Sequence, residues 1–309
     1  MTVRTDVIVA RSIGKRFGAS QVLEALNLDV RSGECFGLLG PNGAGKSTLI
    51  GILYGAVRRT SGELSVFGMD PAVAASRIKQ RIGVVTQQNA LDESLTVMEN
   101  MMIYAGFEGV GRKLAQQRVA ELLNYMNLAH KQDAPIGSLS GGMQRRLVFV
   151  RALLAQPELI ILDEPTTGLD PAVRHLLWSR VRSLRDQGTT ILLTTHYMHE
   201  AEELCDRLAI MDGGRIVDLG SPRELIDRHV PGYVAIFDPN VSDESLHRLA
   251  GEPEVVVARE ASAIIARGPR LADLVAACER HCLTPAALRP ANLEDVFLKL
   301  TGKGLSDDA

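Results

Sequence analysis

Nine consecutive residues, Gly40-Pro41-Asn42-Gly43-Ala44-Gly45-Lys46-Ser47-Thr48, combine three glycines with a lysine and two hydroxyls. Glycines let a backbone wrap so that successive N–H groups point inward, and a following helix N-terminus adds partial positive charge. Such a loop cradles phosphates. Lys46 is placed to neutralise the β and γ phosphates of a nucleotide, and the Ser47 hydroxyl to reach magnesium. A second group lies at Leu159-Ile-Ile-Leu162-Asp163-Glu164, an apolar strand delivering two carboxylates where parallel α/β sheets build their sites. Asp163 is expected to complete the magnesium shell through water, and Glu164 to accept the proton of an attacking water. Together these residues admit kinases, GTPases, helicases and transport ATPases alike.

The flanking residues must position this chemistry. Glu34 to Leu39 reads as a buried strand entering the loop, and Ser47 to Tyr54 as a helix leaving it, stopped by Gly55. Val7–Val9 and Val22–Val30 read as an antiparallel edge layer around a turn containing Gly14 and Gly18. From about 89 to 150 the pattern is helical, opening with Thr96 and Glu99 at capping-box spacing. Strands at Leu159–Leu162 and Thr190–Thr195, separated by a helix over Pro171–Arg185, indicate a parallel sheet with crossover helices. Asp212-Gly213 marks a hairpin that closes the sheet. A first domain over 1–222 with a helical insertion at about 89–150 is therefore expected. A small α/β appendage over 223–309 follows, with strands at Tyr233–Phe237, Glu254–Val257 and Ala263–Ala266. It also carries helices over Leu271–Cys282 and between Asn292 and Gly302.

The discriminating segment is Leu139-Ser140-Gly141-Gly142-Met143-Gln144-Arg145-Arg146. It resembles the signature of the ABC ATPases, and the resemblance runs across the first domain in the expected order. Gln87 in Gly83-Val-Val-Thr-Gln resembles the Q-loop glutamine, Thr167-Gly-Leu-Asp170 the D-loop, His196 the switch histidine, and Phe17 the ring that stacks on adenine. The resemblance implies a P-loop NTPase (RecA-like) core with an antiparallel β edge layer and a helical insertion, and ATP and Mg2+ as cofactors. It implies that two copies pack head to tail, so that Ser140 and Gly142 act on the partner's nucleotide. In this scheme His196 holds the γ-phosphate, Gln87 senses magnesium and the attacking water, and Asp170 joins the halves. A separate integral-membrane permease would dock in a groove lined by residues between Asn89 and Met102.

The stretches Asp163-Glu-Pro-Thr-Thr-Gly-Leu-Asp170-Pro, Thr194-Thr-His-Tyr-Met, Glu203-Leu-Cys-Asp206 and Asn292 to Gly302 look like bacterial ABC-2 type exporter ATPases of the drug-resistance and nodulation-factor export kind. His199 stands where those relatives commonly carry Glu, and Thr86 where many carry Pro. The competing readings are an importer ATPase, a non-transport ABC ATPase acting on DNA or ribosomes, and a P-loop kinase. No coiled coil separates Lys46 from Ser140, the chain has one cassette, and a kinase leaves the signature and His196 unexplained.

Bulk properties fit this reading. With 34 basic and 37 acidic residues, the net charge of -3 gives no electrostatic ground for a nucleic-acid partner. No apolar run reaches the roughly 18 residues of a membrane span. The expected location is cytoplasmic, peripheral on the inner face of the membrane. Cys35, Cys205, Cys278 and Cys282 are too scattered for a disulfide framework, and Cys278, His281 and Cys282 lack a further ligand pair at zinc spacing.

Overall fold

The computed structural model describes residues 5–259 and 263–302. It divides into two compact units, with the change falling between Leu219 and Gly220. In the first unit, chain order is β1 (Asp6–Phe17), β2 (Ser20–Arg31), β3 (Cys35–Leu39), α1 (Lys46–Leu53), β4 (Ser61–Val66), α2 (Pro71–Lys79) and β5 (Ile82–Val85). Then come α3 (Val97–Phe107), α4 (Arg112–Tyr125), α5 (Gly141–Leu153), β6 (Leu159–Asp163), α6 (Pro171–Asp186), β7 (Thr190–Thr195), α7 (Met198–Leu204), β8 (Arg207–Asp212) and β9 (Arg215–Gly220).

Every residue of β3 and β7 is buried, as sheet strands covered on both faces require. They lie side by side in a six-stranded sheet of order β5-β6-β7-β3-β8-β9. The parallel pairing brings Leu39, Asp163 and Thr195 to one end of the sheet: Leu39 is opposite Thr195, and Asp163 opposite Thr194. An antiparallel sheet of order β2-β1-β4 forms the edge layer. Gly14 is not in its turn, contrary to the expectation. It sits inside β1 at a shift of register, where its carbonyl accepts from Thr60 N at 2.8 Å and a Cβ would lie 2.4 Å from the Ser61 hydroxyl oxygen. The helical segment contains α3, α4 and α5. The expected capping box opens α3, with Thr96 N donating to Glu99 at 2.8 Å and Glu99 N to the Thr96 hydroxyl at 3.3 Å.

The second unit holds α8 (Pro222–His229), β10 (Tyr233–Phe237), α9 (Asp243–Ala250), β11 (Val256–Arg259), β12 (Ile264–Gly268), α10 (Leu271–Arg280), β13 (Ala287–Pro290) and α11 (Leu293–Thr301). From β10 to β13 the order is β-α-β-β-α-β, and the sheet runs β11-β12-β10-β13, all antiparallel. This is the split βαβ arrangement of ferredoxin-like domains. Phe237, Ile264, Leu249 and Leu274 pack into its core. Strand β11 begins two residues later than the sequence pattern indicates, because Glu254 adopts a left-handed φ of 62° that ends the preceding turn. Cys278 is buried, Cys282 is exposed, and the His281 ring nitrogen meets Glu252 at 2.8 Å. Among the described residues, no group of three or more His, Cys, Asp or Glu converges to hold a metal.

One ion pair ties the edge layer to α2. Arg59 donates both terminal nitrogens to Asp70 at 2.7 Å, and Asp70 also caps α2 by accepting from Ala72 N at 2.8 Å. The Arg59 hydrogen bonds lower the Asp70 carboxyl from an ordinary 3.8 to about 2. A depressed carboxylate contributes stability that is present above its unfolded value and is lost as pH falls through the folded value. Wild type should therefore exceed Asp70→Asn in stability by a constant margin above pH 4, and the margin should shrink between about 4 and 2. Urea unfolding at stepped pH reads this out, and a margin independent of pH would contradict it.

Candidate functional site

The loop between β3 and α1 reverses the chain, with one internal turn bond from Ala44 N to Pro41 O at 3.2 Å. Gly43 and Gly45 take left-handed φ values of 80° and 96°. Gly40 is fixed by crowding, since a Cβ there would lie 2.4 Å from the Met211 carbonyl oxygen on β8. A Cβ on Gly45 would meet Leu23 Cδ2 at 2.5 Å and Val22 O at 3.1 Å, so β2 presses directly on the loop. No side chain caps α1, and the first-turn N–H groups have no intrahelical partner. Lys46 is buried, 5% exposed, with Nζ donating to Gly40 O at 2.7 Å and Pro41 O at 3.0 Å. Burial pushes its ammonium below the usual lysine value, while the carboxylates of Glu164 and Asp163 pull it back up. Asn42, Gly43 and Ser47 are exposed, Pro41 and Thr48 half-buried, and Ala44 buried.

Facing the lysine, Asp163 ends β6 and accepts from the Thr194 hydroxyl at 2.6 Å. Glu164 has a left-handed φ of 47°, a costly conformation for a residue with a side chain. Its N–H is held by both Thr194 O and the Thr194 hydroxyl at 3.1 Å. Its carboxylate lies 3.4 Å from His196 Nδ1, which makes no hydrogen bond, and accepts from the Thr167 hydroxyl at 3.3 Å. Lys46, Asp163, Glu164 and His196 are thus brought together at the end of the sheet.

The other residues singled out from the sequence sit around this centre. Gln87 is exposed, and its carbonyl accepts from Arg145 at 3.2 Å. Thr86 closes a turn by donating to Gln88 O at 2.7 Å. Ser140 caps α5 by accepting from Met143 N at 3.3 Å, and Ser140 and Gly141 are exposed. Gly142 faces the start of α6, where a Cβ would lie 3.3 Å from Val173 Cγ2. Asp170 caps α6 through Val173 N at 3.0 Å. Phe17 ends β1, half-exposed, with the Lys15 ammonium 4.3 Å from its ring centre. Among the described residues, no hydrogen bond or ion pair joins Ser140–Gly142 to the loop 40–48. His199 packs edge-on against Trp178 with ring centres 5.3 Å apart.

Three residues that sequence reasoning left without a role are built into the site. Arg145 is 5% exposed, and its guanidinium reaches five backbone carbonyls. Thr194 holds both Asp163 and Glu164. Glu200, fully buried, accepts from Thr166 at 2.8 Å and from Trp178 at 2.9 Å, and burial pushes its carboxyl up. No local signal marked them: Arg145 stands beside Arg146 on a helix that also carries Arg151, and Glu200 shares its helix with Glu202 and Glu203.

With this geometry established, comparison with known proteins places the chain. Residues 23–167 match the ABC transporter family and residues 268–302 the C-terminal domain of the nodulation factor export protein NodI. The Nod factor export ATP-binding protein I of Burkholderia orbicola is 42% identical over 300 residues, covering 96% of this chain and 97% of that protein. A solved ATP-binding subunit of an ABC transporter is 30% identical and superimposes with a TM-score of 0.67 over 72% of this chain and 92% of its own. The dimeric post-hydrolysis state of an ATP-binding cassette bound to ADP and Pi is 25% identical, with a TM-score of 0.64 over 69% of this chain and 98% of its own. At this identity over nearly its whole length, the chain belongs to the family of Nod factor export ATP-binding proteins, ATPase subunits of ABC exporters.

Proposed function

We propose that two copies of this chain pack head to tail around two ATP molecules. Each loop 40–48 grips a triphosphate, and the partner's Ser140–Gly142 covers it. The observation that carries this reading is the exposure of Ser140 and Gly141 at the start of α5, with no bond to their own loop. A helix N-terminus of this kind offers N–H groups to an anion brought by another molecule. In this arrangement Lys46 leaves the Gly40 and Pro41 carbonyls for the β and γ phosphates. Glu164, held in its left-handed turn, takes the proton of the attacking water, and His196 contacts the γ-phosphate. Gln87 stands at the rim, Asp170 at the junction of the two copies, and Phe17 beside the base.

The donor set of Ser47 hydroxyl, Gln87 amide and Asp163 carboxylate is all hard oxygen, which suits Mg2+ completed by phosphate and water. Magnesium held by these residues would supply positive charge to neutralise the phosphates. The domain boundary is proposed close to the change of unit at Leu219–Gly220, with 1–222 as the ATPase domain and 223–309 as an accessory domain. Among the described residues no helix is long and apolar enough to cross a membrane, so the translocation path belongs to a separate permease, and the chain works on the cytoplasmic face. A cleft of about 590 Å³ lined by Met98, Met102 and Ile103 together with Glu99, Arg112 and Gln116 offers a groove of mixed character for a short permease helix. It lies further along α3 than the span Asn89–Met102 alone. ATP favours the closed pair because the γ-phosphate bridges two surfaces, and its cleavage releases them.

Glu164→Gln should keep ATP affinity while slowing hydrolysis roughly a hundredfold or more, the scale of a lost general base. Quenched-flow phosphate release reads this, and brisk turnover would remove Glu164 from the reaction. Lys46→Ala should weaken binding of Mg-ATP by roughly 10- to 100-fold, as expected for a lost charge-assisted contact. Unchanged affinity by calorimetry would count against the loop assignment. Ser140→Arg should leave binding to the single chain intact but abolish ATP-driven pairing in sedimentation velocity, and normal pairing would refute the head-to-tail arrangement.

A further inference from the structure

Arginine has five N–H donors in a planar fork, and in Arg145 all three nitrogens are engaged by backbone carbonyls. Nε donates to Pro165 O at 2.8 Å, and Nη2 to Asp163 O at 3.1 Å and Glu164 O at 2.9 Å. Nη1 donates to Gln87 O at 3.2 Å and to Thr86 O. No carboxylate forms an ion pair with this buried cation among the described residues; its hydrogen bonds all go to main chain, and the carboxylates of Asp163, Glu200 and Glu164 act on it only through the field. Its partners lie on two separate segments, the strained turn after β6 and the loop after β5. The residue itself sits on the helix capped by Ser140, five residues or about 7 Å along the axis. Three further bonds strap the same helix to the loop after β5. Asn89 Nδ2 donates to Gln144 at 3.2 Å, and Arg151 Nη1 donates to Asn89 O at 3.1 Å and Ala90 O at 2.9 Å.

We propose that Arg145 is a positioning residue that couples the two nucleotide sites of the dimer, and this rests on the head-to-tail reading above. Through α5 it feels whatever the partner's nucleotide does at Ser140–Gly142. Through its carbonyls it fixes the Asp163–Pro165 turn and the Thr86–Gln87 loop that serve its own nucleotide. A displacement of α5 either stretches these bonds or moves the turn after β6 with it, because every bond of the fork is to backbone. Lysine is no substitute, with three donors on a point charge and no fork.

The test uses mixed dimers of the full chain in which one site is silenced by Glu164→Gln, with single-turnover ATP cleavage measured at the other. In the first arrangement Arg145→Lys is in the protomer that keeps Glu164. In the second it is in the protomer carrying Glu164→Gln, so that only the covering signature helix is altered. Coupling predicts that cleavage slows in both, by roughly tenfold or more, the scale expected when catalytic groups shift by a fraction of an ångström. Loss in one arrangement only, or in neither, overturns the proposal. The control dimer with Glu164→Gln alone must cleave at its intact site; if it neither forms nor cleaves, the head-to-tail reading has failed instead.

A second measurement leaves Arg145 intact and so does not depend on the variant folding. In a dimer of wild type with Lys46→Ala, ATP bound to the wild-type loop should slow amide exchange at 163–167 and 86–90 of the Lys46→Ala protomer. Unchanged exchange there contradicts the coupling.

Discussion

A lysine ammonium buried under a glycine loop is the constraint on which the first unit depends. Burying a cation is costly unless it is bonded and countered, and here carbonyls of Gly40 and Pro41 do the bonding while Asp163 and Glu164 supply the field. Those four groups converge only because β3 and β6 flank β7 in register, so that the loop after one strand faces the carboxylates after the other. The crowding at Gly40 and Gly45 follows from the same demand: the loop must lie close against β8 and β2 if Lys46 is to be enclosed. The fold positions a charge, and the phosphate chemistry is the use made of it.

Around that centre, fixing of the backbone matters as much as side-chain identity. Glu164 is held in a left-handed conformation by bonds to its own N–H and C=O, from Thr194 on one side and Arg145 on the other. Thr194 also fixes Asp163, so one residue holds the Asp163 carboxylate and the Glu164 backbone. Glu200 joins Thr166 in the loop after β6 to Trp178 on α6, and lies on the helix that follows His196. The strain of the turn is carried by its surroundings, which suits the general-base role proposed for Glu164.

The sequence made the centre legible because its glycines, lysine and paired carboxylates have few other uses at such spacing. The buried strands showed as apolar runs, and the Thr96–Glu99 cap showed directly. Gly14 misled because a glycine inside a strand and one in a turn carry the same local signal, and only pairing with β4 distinguishes them. The roles of Arg145, Thr194 and Glu200 were hidden because each acts on backbone or on residues far away in the chain, which no local pattern records. In the second unit β10, β11, β12, α10 and α11 were legible, whereas α8, α9 and β13 were not, and the split βαβ order emerged only from strand pairing.

The central claim is that one nucleotide is shared by the loop of one chain and the signature of another. Vanadate trapped with Mg-ADP cleaves the backbone beside the γ-phosphate position under ultraviolet light. In a mixed dimer of isotopically heavy wild-type chain and light Lys46→Ala chain, the light chain should be cut at Ser140–Gly142 and not in its own loop. Cleavage of the heavy chain at both segments, with the light chain uncut, would show each nucleotide held within one chain and would contradict the account.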